Sequence, residues 1–196
     1  MSWSVPKRIT SILLAILGVT YPVLVYFGLS AFSPRVILII ALFLVILRAA
    51  MFAAVRRYDA AGLTLLVALI LALAGIASDM VAIQFYPVIV NLTLATVFTV
   101  TLFSKAPMIE RFARMKTPDL DDYAIGYTRI LTKVWIGFFI ANAAIASWTA
   151  LYASLETWTL YNGLISYLLI ATLFVGEWPI RRILRARHHR NIKENT

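Results

Sequence analysis

Arg48 is the residue with the most chemistry to offer, because it is the one full charge deep inside an apolar run, between Val36 to Leu47 and Ala49 to Val55. A guanidinium withdrawn from water seeks an anion: a carboxylate of the same chain, a lipid headgroup reached by snorkelling, or a bound ligand. Glu177, at the end of the last apolar run, is the carboxylate best placed to pair with it; Arg181, one turn on and across Pro179, competes for the same group. Gln84 and Asn91 lie seven residues apart and so share a helical face, while Asn142 and Asn162 fall in or near later runs. Carboxamides in such places tie helices together, at about 0.6 to 2 kcal/mol per bond, or line a polar path. In the second case Arg48, Gln84 and Asn91 outline a midplane site.

Other chemistries find less support. There are no cysteines, which excludes disulfides, thiol nucleophiles and thiolate metal sites. His188-His189 is the only histidine feature, and it follows the basic stretch Arg181-Arg182-Ile183-Leu184-Arg185-Ala186-Arg187 with no carboxylate or thiolate nearby to complete a metal site. No Gly-rich phosphate loop, nucleophile beside a base, or paired catalytic carboxylates is present, so neither a cofactor nor an enzymatic activity is expected.

The elements that must carry these residues follow from composition. The chain of 196 residues is 62% hydrophobic and 14% charged, with a mean hydropathy of +0.86, too few polar side chains to cover a water-facing surface. The expected fold class is all-α, a polytopic transmembrane helical bundle forming one integral membrane domain over 1–196. Long apolar runs give six spans: Ile9 to Leu29, Val36 to Val55, Leu63 to Ala77, Val81 to Phe103, Leu131 to Tyr152, and Thr157 to Trp178. The third is short and is expected to extend into Ala60, Ala61 and Gly62. Arg48 does not prevent insertion, because a central Arg costs about 2.5 to 3.5 kcal/mol while the Val, Ile, Leu and Phe residues before it return roughly 5 kcal/mol. Ile9 to Leu29 exceeds the roughly 7 to 15 residues of a signal-peptide core and should be retained as an anchor.

Charge gives the orientation. Short connections centred on Ser33-Pro34-Arg35, Ser78-Asp79 and Ser154-Leu155-Glu156 imply three antiparallel hairpins. Of the 18 Lys and Arg, only Arg35 lies in those connections; apart from Arg48, the rest gather at the opposite ends of the spans. Positive loops stay on the cytoplasmic side, so both ends of the chain, the Arg56-Arg57 connection and the 104–130 loop are expected there, in a bacterial inner membrane. The net charge of +9 is therefore read as contact with anionic lipid, and nucleic acid is not an expected partner. Trp135, Trp158 and Trp178 fall near span ends, where interfacial anchoring is the first expectation and packing between helices the second.

Small residues suggest how the spans meet. Ser11, Ala15, Gly18 and Pro22 share a face of the first span, Thr64, Ala68, Ala72 and Gly75 one of the third, and Gly137, Ala141 and Ala144 one of the fifth. Tyr21-Pro22-Val23-Leu24-Val25 and Tyr86-Pro87-Val88-Ile89-Val90 look like an internal repeat, but the prolines sit at different depths in their runs, which argues against true repetition. In the 104–130 loop, Pro107 can start a helix with Met108, Ile109, Phe112 and Ala113 on one face and Glu110, Arg111, Arg114 and Lys116 on the other. It is expected on the inner leaflet, with Arg111, Arg114 and Lys116, together with Arg181, Arg182, Arg185 and Arg187 of the 179–196 tail, meeting headgroups. Thr117-Pro118-Asp119 then reads as the cap and first turn of a helix that continues into the fifth span.

Lys105-Ala106-Pro107-Met108-Ile109-Glu110-Arg111, Trp135-Ile136-Gly137-Phe138-Phe139 and Trp158-Thr159-Leu160-Tyr161-Asn162 resemble, in order, features of the bacterial intracellular septation protein A family. They are more similar still to an uncharacterised group of bacterial inner-membrane proteins, often encoded beside acyl carrier proteins and ketosynthases for fatty-acid-like or aryl polyene products. The resemblance covers about residues 105 to 178, and neither group has a motif that assigns catalytic residues. It implies a role in building the cell envelope. The first functional expectation is thus a non-catalytic accessory or scaffold protein whose basic face meets anionic lipids or an acidic acyl carrier protein. A small transporter or flippase is the alternative, and an intramembrane enzyme the third.

Overall fold

The computed structural model describes residues 21–177. The start of the first expected span, with Ser11, Ala15 and Gly18, lies outside the described residues, as does everything from Trp178 onward, including Arg181, Arg182, Arg185, Arg187 and His188-His189. The described elements are all helices: α1 Tyr21–Ala31, α2 Pro34–Ala54, α3 Tyr58–Ala77, α4 Asp79–Leu102, α5 Met108–Lys116, α6 Asp122–Tyr152 and α7 Leu155–Glu177. Five of them, α2, α3, α4, α6 and α7, are long and apolar enough to cross a membrane. Helix α3 takes in Ala60, Ala61 and Gly62, as its short apolar run required.

Local chemistry explains the breaks. Pro34 opens α2 at the position where its missing N–H is not needed. At the far end Arg56 adopts φ 59°, and its N–H and that of Arg57 return to the carbonyls of Ala53 and Phe52, both at 2.9 Å. This paired closure usually employs glycine; a side chain there costs about 1 to 2 kcal/mol. Ser78 and Ser154 cap α4 and α7 by accepting from the N–H groups of Val81 and Thr157.

Helix α4 is the hub of the bundle. Its Ala82 and Ile83 pack with Val25, Ile37, Leu38 and Trp158; its Ile89 with Val45, Val67 and Leu71; its Val88 with Ala143 and Ala146; and its Ala95 and Phe98 with Phe139. Arg35 and Asp79, each in the first turn of its helix, pair at 3.2 Å, so α2 and α4 begin at the same end. Helix α6 runs against α4: Phe139 meets Phe98, Asn142 meets Asn91, and Ala146 meets Val88. Phe43, Leu73, Ile76, Leu151 and Phe174 stand exposed around the bundle, a surface that suits hydrocarbon and not water.

Several expectations are corrected. Gly137, Ala141 and Ala144 face outward, and α6 instead buries Ala143 and Ala146, on the opposite side of the helix. Trp158 is fully buried between helices, because its indole N–H is needed by α4. Trp135, only partly buried, makes an edge contact with Phe138 and a tilted one with Phe139, and Trp178 lies outside the described residues. The cap of α6 is Asp121, whose carboxylate accepts from the N–H of Ala124 at 2.7 Å. Thr117 instead ends α5, since a residue before proline resists helical geometry.

Helix α5 does not split into the expected faces. Its first N–H groups, which no residue within the helix can satisfy, donate to Thr101 Oγ1 of α4 (from Met108, 3.0 Å) and Thr132 Oγ1 of α6 (from Ile109, 3.4 Å). Docked this way, Glu110 turns inward and is buried, compensated by Arg114 at 2.8 Å, while Phe112 and Met115 are left exposed. Arg114 also donates to the Pro118 carbonyl, and Arg111 to the Ala106 carbonyl and Ser104 Oγ. These two guanidiniums thus fasten the loop, besides whatever they offer to headgroups.

Candidate functional site

Pro87 supplies no N–H, so the Ile83 carbonyl one turn earlier in α4 loses its helical partner. Tyr21 of α1 fills that role, its hydroxyl donating to Ile83 O at 3.1 Å, and the Trp158 indole donates to the neighbouring Gln84 carbonyl at 3.0 Å. The carbonyl opened by the proline is thereby served from α1, as membrane helices require, while α7 adds a donor to the carbonyl beside it. The Tyr21 and Tyr86 ring centres lie 4.4 Å apart with their planes tilted by 48°, so the two Tyr-Pro motifs of the sequence meet in the fold. Gly163 lies where α1 meets α7 closely: a β-carbon there would come within 3.1 Å of the Val23 side chain.

Beside this junction a directed chain of hydrogen bonds crosses the bundle. The Tyr161 hydroxyl donates to Asn142 Oδ1 at 2.7 Å, the Asn142 amide to Asn91 Oδ1 at 3.0 Å, and the Asn91 amide to the Pro87 carbonyl at 2.8 Å. A second branch runs from Asn162, whose amide donates to Thr149 Oγ1 and to the Trp158 carbonyl, while Ser166 Oγ donates to the Asn162 carbonyl. Residues Tyr161–Ile165 form a widened turn of α7, with the Ser166 N–H bonded to Tyr161 O. Wide turns of this kind gather at functional positions.

Beside these groups opens a cavity of about 270 Å³, lined among others by Tyr21, Arg48, Tyr86, Asn91, Asn142, Asn162, Ser166 and Tyr167. A second cavity of about 230 Å³ lies between α2, α3 and α4, and shares Arg48, Tyr86, Val90 and Leu94 with the first. Its remaining wall includes Val45, Leu63 and Val67. The Arg48 guanidinium sits 5.7 Å from the ring centre of Phe52, one turn nearer the Arg56 end, an attraction of cation to π face.

The sequence-derived candidates therefore divide. Arg48, Asn91, Asn142 and Asn162 come together at one cavity, whereas the Gln84 side chain is not part of it and Gln84 acts through its backbone carbonyl. Arg48 forms no ion pair with Glu177; among the described residues the ion pairs join Arg35 to Asp79 and Arg114 to Glu110. Tyr21, Tyr86, Tyr161, Ser166 and Tyr167 were not anticipated as site residues, although the paired Tyr-Pro motifs marked the first two. No group of three or more Asp, Glu or His residues that could hold a metal occurs among the described residues.

Fold and composition together define a class, a multi-pass helical membrane protein, here with a partly open cavity that gathers several polar side chains within a mostly apolar lining. No family model, curated protein or solved structure matches the chain.

Proposed function

We propose that the chain is a non-catalytic accessory protein of the bacterial inner membrane, with six spans in three hairpins and both ends cytoplasmic, serving cell-envelope or lipid-linked biosynthesis of the fatty-acid-like or aryl polyene type. The observation that carries this reading is the division of charge along the bundle. Arg56, Arg57, Lys105, Arg111 and Arg129 gather where α2 and α4 end and α6 begins, while at the other end Arg35 is joined to Asp79. Basic ends stay in the cytoplasm, and such a face suits anionic inner-leaflet lipids and an acidic acyl carrier protein. Exposed Phe112 and Met115 on α5 suit the same leaflet.

Affinity capture of the full chain from native membranes, at low and at moderate salt, tests the reading. Recovery of acyl carrier protein or a biosynthetic enzyme at low salt, reduced at moderate salt, is the expected result. Recovery of neither at either salt overturns it. A small transporter or flippase is the second reading, favoured by the gathering of Arg48, Asn91, Asn142 and Asn162 at one cavity.

A further inference from the structure

Arg48 is common to the walls of both cavities, and among the described residues neither wall contains an Asp or Glu. Arg48 is exposed where the two cavities meet, with the Phe52 ring beside it, and a cation so placed within an apolar helix is open to an anionic partner. The carboxamides are also only partly engaged. Asn91 and Asn142 each donate through the side-chain nitrogen to one acceptor, and a carboxamide carries two N–H groups. One cavity thus presents a positive charge and spare donors, which suits a small group bearing oxygens and a single negative charge. The adjoining cavity, reached past Arg48 and Tyr86, is walled by Val45, Leu63 and Val67, which suits a hydrocarbon body.

We propose that the two cavities form one binding site for an amphipathic organic monoanion, a carboxylate carried on an aliphatic chain. The carboxylate lies at Arg48 with the Asn91 and Asn142 amides, and the chain lies between α2, α3 and α4. Arg48 is about 9 Å, by helical rise, from the Ala54 end of α2, and the cavity it lines also reaches the carboxamides of Asn91, Asn142 and Asn162 on α4, α6 and α7. Binding is a property of the purified chain, so this inference stands or falls apart from the choice of protein partner.

The test uses the full chain in nanodiscs of zwitterionic lipid, titrated with radiolabelled decanoate and corrected with empty discs. Saturable binding of about one decanoate per chain is expected, displaced by unlabelled decanoate but not by decanol at the same concentration. Arg48→Gln should weaken binding at least about tenfold and Arg48→Lys less, as loss of a charge-assisted contact predicts. Leu63→Trp, which narrows the apolar cavity while leaving Arg48 in place, should also weaken it. Absence of a saturable component, equal displacement by decanol, or unchanged affinity in a folded Arg48→Gln variant overturns the proposal. If Arg48→Gln does not fold, the comparison of decanol with decanoate and the Leu63→Trp variant decide it, with unchanged affinity in the latter counting as refutation.

Discussion

At the scale of single residues, the asparagines bind the bundle together. Asn142 is the joint between α7 and α4, accepting from Tyr161 and donating to Asn91. Asn142→Leu leaves both neighbours buried without that partner and should lower stability by about 1 to 2 kcal/mol. Equilibrium unfolding of the detergent-solubilised protein by a denaturing detergent checks this, and an unchanged midpoint would contradict the network. The sequence marked Asn91, Asn142 and Asn162 as out of place in apolar runs, because polarity against background is a local property. It could not say which of them meet, since helical spacing fixes the face a residue occupies and not the helix it confronts. For the same reason it could not show that Asn91 lines the cavity without Gln84, or that Arg48 and Glu177 do not pair.

At the scale of elements, α4 is shaped by its proline and by the donors that come to it. Removal of the Tyr21 hydroxyl by Tyr21→Phe should cost about 1 kcal/mol in the natural sequence. In a Pro87→Ala background the new N–H can serve Ile83, so the same change should cost close to nothing. A double-mutant cycle measures this coupling, and strictly additive effects would show that Tyr21 does not act through the opened carbonyl. Element bounds were largely legible: serines, Pro34 and runs of bilayer length marked the ends of α2, α3, α4 and α7. The cap of α6 was misplaced because Thr117-Pro118-Asp119 and Asp121-Asp122 offer similar local chemistry. The inward turn of Glu110 was hidden because its compensation by Arg114 and the docking on Thr101 and Thr132 are tertiary.

For the whole molecule, composition alone supplied the solvent: a bundle with this apolar exterior requires lipid. The proposed topology predicts that alkaline phosphatase fused after Ser78 is active and that fusions after Arg57 or Lys105 are inactive, since the enzyme folds only outside the cytoplasm. Activity in the reverse pattern would invert the orientation. Alkali extraction of native membranes should leave the chain in the pellet. The service that α1 and α7 render to α4 also dictates a sequence of events during synthesis. When α4 leaves the ribosome, Tyr21 has already been made, but Trp158 lies 74 residues downstream of the Gln84 carbonyl it will occupy. A nascent chain halted between those points would hold a proline-loosened helix with one side still open, an inviting grip for membrane chaperones and intramembrane proteolysis until the last helix arrives.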